Sequence, residues 1–344
     1  MMIGSAFRFP VPEYYMAVHI WVIFLLFIFL IIAFDLGLFH REIKIPTIRD
    51  ALTWTSVWVG LSLLFNVVVY MLYQNNYSWA GAATENLTGA EAASQYVLGY
   101  VLEYSLSIDN IFVIAMVFSY FHVPLNLQHR VLFWGILGAV ILRGIMIGVG
   151  VTLINSFDWM IYAFGALLIY TAVRMMLLRQ ETVQPGGNAL IRIAHRWLPF
   201  TDRFHGRHFF VKVDGRLVAT PLFLALLMVE SSDVMFAVDS IPAIFAVTRD
   251  PFIVFTSNIF AILGLRSMYF VLAGYMQRFR YLKNSLVFVL AYVGIKMMMS
   301  NHYHIPAGVS LVIILGILVV GVIASIVGSS KDPVPLKSPM DYKE

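Results

Sequence analysis

Apolar residues along this chain come in runs of about twenty, separated by short polar segments, and a helical run of that length matches the hydrocarbon thickness of a bilayer. Nine such runs stand out: Ala17–Phe39, Trp54–Tyr73, Gln95–Phe121, Val131–Ile154, Trp159–Leu178, Ala219–Val247, Phe252–Gly274, Ser285–Ser300 and Ala307–Val327. The eighth is short and carries Lys296. The sixteen residues before the first lack the basic start of a signal peptide, and the run itself is too long for one, so it is read as a span. The pattern predicts an all-α fold, a polytopic membrane helix bundle of about nine transmembrane helices.

Composition agrees. Of 344 residues, 60% are hydrophobic and 12% charged, about half the charged share of ordinary soluble domains. The lipid bilayer is therefore the principal environment. A net charge of +4 is too small to imply nucleic acid. The chain has no cysteine, which excludes disulfides, thiolate metal sites and thiol catalysis.

The charges also orient the spans. Seventeen of the 23 Lys and Arg residues fall in loops 40–53, 122–130, 179–218 and 275–284 or in the C-terminal tail; only Arg8 and Arg249 fall on the opposite side, and four lie inside spans. The positive-inside rule then places the N-terminus outside and the C-terminus in the cytoplasm. The segment Gln74–Ser94 is an external loop on this reading. Within the cytoplasmic loop 179–218, the basic stretch Ala189–Leu198 suits an amphipathic helix lying on the inner leaflet. Phe209–Val213, Asp214-Gly215 and Arg216–Ala219 read as a hairpin on a tight turn. The loop is expected to be a structural connector; the alternative is a surface for a soluble partner.

Two stretches interrupt the apolar runs with bare carboxylates. They are Glu103-Tyr104-Ser105-Leu106-Ser107-Ile108-Asp109-Asn110 and Glu230-Ser231-Ser232-Asp233 continuing to Asp239-Ser240-Ile241-Pro242. Ionisable groups at membrane depth are costly and mark ion or proton pathways by default. The stretches also resemble each other, with Glu103 and Asp109 spaced as Asp233 and Asp239 are. The likeness continues from Gly135–Arg143 to Asn258–Arg266 and from Tyr170–Met176 to Tyr292–Met298. Each unit has three spans, an odd number, so the copies must lie upside down relative to one another, as in inverted-repeat transporters. The chain thus divides into an N-terminal two-span segment with its external loop (1–94), a first repeat (95–178), the cytoplasmic loop (179–218), an inverted second repeat (219–300), and a last span with its tail (301–344).

Inversion makes equivalent residues trade depths. It predicts a central layer of Asp109 with Asp233, Asn110 and Glu230 close by, and an outer layer of Glu103 with Asp239. The helical wheel opposes full convergence: Glu103, Ser107 and Asn110 share a face, as do Glu230, Asp233 and Ser240, whereas Asp109 and Asp239 fall elsewhere. Either the helices unwind locally, aided by Pro242, or the two faces serve different purposes. Glu103, Asp109, Asn110, Glu230, Asp233 and Asp239 are the candidate cation ligands, and Ser107, Ser232, Ser240, Asp35 and Asn66 candidates for the second shell or the pathway. All offer oxygen, which suits Mn2+, Ca2+ or Mg2+ over copper or zinc. A site that holds either a dication or protons is a natural exchanger. Arg143 and Arg266 are the charge partners, either neutralising buried carboxylates outright or holding an acid until an ion arrives. Neither a phosphate loop nor a nucleophile–base arrangement stands out, so no enzyme and no prosthetic group are expected.

At these same residues the sequence resembles the TerC family of integral membrane proteins, and in particular its Alx-like bacterial members. The long motifs at Glu103–Asn110 and Phe236–Pro242, with Asp250–Ile253, Ser257–Tyr269 and His304-Ile305-Pro306, carry the resemblance over most of the chain. It implies manganese efflux across the bacterial inner membrane, within a superfamily that includes LysE-type exporters. The six candidate ligands would then be the metal-site residues. It also implies a link to tellurite resistance, from which comes the rival expectation of a non-transporting membrane anchor in a stress-response complex.

Overall fold

The computed structural model describes residues 13–39, 47–75, 87–177, 198–201, 203–213, 215–273, 282–300, 302–303 and 305–331. Among them are nine long helices: α1 (Glu13–Phe39), α2 (Ile48–Gln74), α3 (Gly89–Tyr120), α4 (Leu125–Ser156), α5 (Met160–Leu177), α6 (Pro221–Phe245), α7 (Pro251–Ala273), α8 (Leu282–Met299) and α9 (Ala307–Lys331). Seven are long and apolar enough to cross a membrane; in α1 and α8 the apolar stretches found are shorter, Val18–Ala33 and Asn284–Met299. The protein is a polytopic helical membrane protein.

Helices start earlier than hydropathy alone predicts, because polar capping residues belong to the helix. Thr88 and Glu91 form a capping box, Glu91 Oε2 accepting from the Thr88 amide at 2.9 Å and the Glu91 amide donating to Thr88 Oγ1. Glu91, assigned to the external loop from sequence, is therefore in the first turn of α3. Thr47 and Asp50 open α2 the same way. Such boxes satisfy amides that the first helical turn leaves without partners. Hydropathy misses them because their residues are polar.

The hairpin is as expected, β1 (Phe210–Val213) pairing antiparallel with β2 (Arg216–Ala219), Val213 opposite Arg216. Gly215 supplies the positive φ, +78°, that the turn needs. The Thr220 hydroxyl donates to the His208 carbonyl at 2.8 Å and ties the hairpin to the start of α6. The stretch predicted as an amphipathic helix lies, but for Leu198, outside the described residues.

Packing places α7 at the centre. It lies against α2, α3 and α4, and Phe252 and Phe260 join Phe24 of α1, Phe65 of α2 and Tyr96 of α3 in an aromatic cluster, Phe65 and Phe260 having centroids 4.8 Å apart. Edge-to-face and offset contacts of this kind suit ring quadrupoles. With its sides covered, α7 can carry polar residues away from lipid. Asp250 caps it: Oδ1 accepts from the Phe252 amide at 2.9 Å and the Ile253 amide at 3.1 Å, with Pro251 between, where a missing N–H costs nothing.

Burial pushes the Asp250 carboxyl above its ordinary value, against the hydrogen bonds from Tyr73 and the two amides. The folded state therefore holds this proton more tightly than the unfolded one. Its contribution to stability is full at low pH and is lost as pH rises through the folded value. Asp250→Asn keeps the cap and should flatten that pH dependence of thermal unfolding in detergent; Asp250→Ala should lower stability at every pH, by about 1 kcal/mol.

Candidate functional site

On α3 the helical period puts Glu103, Ser107 and Asn110 on one stripe, and all three are buried. Arg143, from the middle of α4, is only 1% exposed. Its guanidinium makes a two-pronged contact with Asp233 of α6, Nη2 donating to Oδ1 at 2.8 Å and Nε to Oδ2 at 3.2 Å. Nη1 donates to Glu103 Oε1 and to Asn258 Oδ1 of α7 at 2.9 Å. Asn258, fully buried, closes the ring by donating its Nδ2 to Glu103 Oε2 at 3.0 Å. Ser107 Oγ lies 3.5 Å from Glu103 Oε1. One cation from α4, two carboxylates from α3 and α6 and an amide from α7 are thus joined with almost no solvent. Fork-to-carboxylate geometry of this kind is the strong form of a charged hydrogen bond.

A small, partly open space adjoins this network. Asn110, Ser232, Asp233 and Arg266 are its polar lining. It is built from the C-terminal halves of α3 and α7, the N-terminal half of α4 and the middle of α6, with Gly135, Ile136 and Ala139 on the α4 wall. Two candidate ligands, and one residue chosen for the second shell or pathway, carry buried oxygens without a hydrogen-bond partner: Asn110 Oδ1 and Glu230 Oε2, and Ser240 Oγ. Glu230 lies against α4 where Gly138 leaves room; a Cβ there would run into its carboxyl group.

The two predicted layers are not what forms. Glu103 is joined to Asp233 through Arg143, and Asp239 instead accepts from Thr171 Oγ1 of α5 at 2.8 Å. Local unwinding does not occur either: α3 and α6 are continuous, α6 running through Pro242 to Phe245. On an unbroken helix, residues six apart point about 120° from one another, so Asp109, which is half-buried, cannot join the Glu103 face. Among the described residues no three His, Cys, Asp or Glu side chains are grouped to hold a metal ion. Asn66 on α2 has a buried, unpartnered Oδ1 but is not among the residues lining the space. The Asp35 side chain lies outside those described.

Asn258 and Thr171 were not singled out from sequence. Asn258 was visible as an amide inside an apolar span, at the place where the first repeat has Gly135. Thr171 carried no signal, since a hydroxyl in a membrane helix usually bonds its own backbone.

A family model described as "Integral membrane protein TerC family" matches residues 88–332, more than half of the chain. The chain belongs to the TerC family. This TerC-family chain is 49% identical over 302 residues to the Alx protein of Escherichia coli (strain K12), whose name describes a membrane-bound redox modulator, covering 87% of this chain and 92% of that one. It is 48% identical over 314 residues to "Uncharacterized membrane protein STKORF319" of Myxococcus xanthus, covering 91% and 94%. An "Uncharacterized membrane protein" of Rickettsia bellii is 38% identical, over 89% and 97%. No solved structure matches.

Arg143→Leu leaves Glu103 and Asp233 buried with no counter-charge. Breaking a buried pair in this way costs about 3–5 kcal/mol, so unfolding in detergent should move to markedly lower temperature. Arg143→Lys, with a point charge in place of a fork, should recover only part of the loss.

Proposed function

We propose that this protein exports a divalent cation, Mn2+ foremost with Ca2+ fitting the same donors, across the bacterial inner membrane in exchange for protons. The observation that carries the reading is the pair of unpartnered buried oxygens on Asn110 and Glu230, two of the residues chosen from sequence as ligands, with a third on Ser240, chosen for the second shell or pathway. Polar oxygens of this depth without partners are rare in folded proteins and call for an ion or water. They belong to hard-donor groups of the kind that Mn2+ takes, and the space that Asn110 lines reaches Asp233.

Helix packing supports the inverted arrangement of the two three-helix units. The first helix of each unit packs on the second helix of the other, α3 on α7 and α4 on α6. The first helices also pack on each other, α3 on α6, and so do the third, α5 on α8. Exchange of the two units leaves that list unchanged, as a two-fold axis in the membrane plane requires. With the N-terminus outside, the lined space lies in the cytoplasmic half, where an export cargo enters.

Loading then requires Asp233 to turn from Arg143 towards the ion. Carboxylates in a low-dielectric setting need a dication, a proton or an arginine, so unloading to the outside leaves them to protons or to the guanidinium. The name of the Alx relatives speaks of redox. With no cysteine, thiol exchange is closed to this chain, and an influence on redox state would follow from the metal it moves. The rival role, an anchor in a stress complex, would leave the Arg143 network purely structural.

Purified protein in liposomes should move Mn2+ against an imposed proton gradient, read with an entrapped metal-sensitive dye. Asp109→Asn and Asp233→Asn should each lower the flux by at least about tenfold while the protein still inserts. Wild-type protein that moves neither Mn2+ nor Ca2+ under any proton gradient would overturn the exporter reading.

A further inference from the structure

Arg143 and Arg266 occupy equivalent places in the two repeats, and so do Glu103 and Asp233. Exchanging the repeats therefore maps one carboxylate onto the other and leaves the pair unchanged, while it turns Arg143 into Arg266. The two arginines have the same two carboxylates as their symmetry-related partners. In the structure Arg143 holds both, and Arg266 stands over the space that Asp233 also lines.

One difference between the two arginines is Asn258. It braces Arg143 through Oδ1 and Glu103 through Nδ2. The equivalent position beside Arg266 is Gly135, which has no side chain to offer and lines the open space instead. The surroundings differ in the same sense. Several residues equivalent to the lining of the open space are closely packed: Leu102, Ile244, Asn258 and Ile259 are buried, and a Cβ at Gly99 would lie 2.9 Å from both Ile244 Cδ1 and Ser257 Oγ. The described space lies in one half of the bundle, and these residues of its counterpart pack closely.

Building on the exporter reading, we propose that Asn258 is the positioning residue that decides which arginine holds the Glu103–Asp233 pair, and thereby which half of the bundle is open. With Asn258 in place, Arg143 keeps the pair and the cytoplasmic half is open. When the pair passes to Arg266, the mirror-image space opens, bounded by Ser240, Ile244 and Ile259 on the external side. Such a switch works by population shift between two packings, since a core held by one guanidinium has two discrete arrangements and few between them.

The absence of native cysteine makes an introduced cysteine the single thiol of the protein. Ile136→Cys reports on the open space, and Ile259→Cys, at the equivalent position of the other repeat, on its closed counterpart. Both are probed with a small membrane-impermeant maleimide from each side of sealed vesicles. In the otherwise unaltered protein, Ile136→Cys should label from the cytoplasmic side and Ile259→Cys should be protected.

Exchanging the amide between repeats, Asn258→Gly with Gly135→Asn, should reverse this. External labelling of Ile259→Cys should rise and labelling of Ile136→Cys fall, each by about tenfold, the change that promotes a state of a few per cent to the dominant one. Adding Arg266→Gln to the exchange should cancel the rise. A Cβ at Gly135 comes within 3.1 Å of Val229 Cγ1, so Asn258→Ala, which needs no extra room, is measured beside it and should raise Ile259→Cys labelling by a smaller factor.

Continued protection of Ile259→Cys in Asn258→Ala and in the exchanged variant would overturn the assignment, whether or not Mn2+ flux survives. A rise that persists in the presence of Arg266→Gln would overturn the role of Arg266. A reversal of labelling in protein that moves no Mn2+ would uphold the switch and sink the proposed cargo, so the two failures are distinct.

Discussion

A guanidinium almost wholly withdrawn from solvent, with a carboxylate on either side, is the constraint around which this bundle is arranged. Arg143 is fixed by Glu103 from α3, Asp233 from α6 and Asn258 from α7, so four helices meet at one charged group. Lipid offers no substitute for any of these contacts, and a helix displaced from the cluster would strand a charge in hydrocarbon. The centre is polar for this reason, while the surfaces of α1, α2 and α9 that face outward carry large exposed apolar residues such as Phe29, Leu64 and Val320. Association of apolar helices in a membrane has little hydrophobic drive, which leaves a bonded charge cluster to fix which helices pair and in what register.

The cluster also divides the work among the acidic residues. Glu103 has both oxygens engaged, one by Arg143 and the other by Asn258, whereas Glu230 retains a buried oxygen with no partner. Asp239, six residues beyond Asp233, is held by Thr171 on a different helix. An unbroken α-helix cannot aim residues at that spacing to one point, and here neither acidic helix breaks. Of the two alternatives that the wheel allows, local unwinding is not the one realised, and the faces stay separate.

The switch proposed here depends on near-symmetry between the two three-helix units and on its breaking. The packing of α3 on α7 and of α4 on α6 repeats one relation twice, but an amide at 258 faces a glycine at 135 across that relation. On that proposal, a pair of carboxylates served in turn by two arginines would have two resting states. One hydrogen-bonding side chain on one side is enough to make them unequal. The exporter proposed here would use that inequality to choose the side on which it waits for its ion.

The membrane-spanning character, the order of the helices and the presence of acids inside two spans were legible in the residues, because hydropathy and the cost of buried charge act locally along the chain. So was the hairpin, through Asp214-Gly215. The partners of those acids were not. Both Arg143 and Arg266 stood equally near in sequence terms, and a helical wheel gives the direction of a side chain but not the neighbour it meets. Only the crossing of α4 with α6, and of α7 with α3, decided that Arg143 takes both Glu103 and Asp233 with Asn258 between them. Those crossings depend on side-chain shape over whole helices, down to the gap at Gly138 that admits Glu230, a quantity that no local pattern of apolar and polar residues contains.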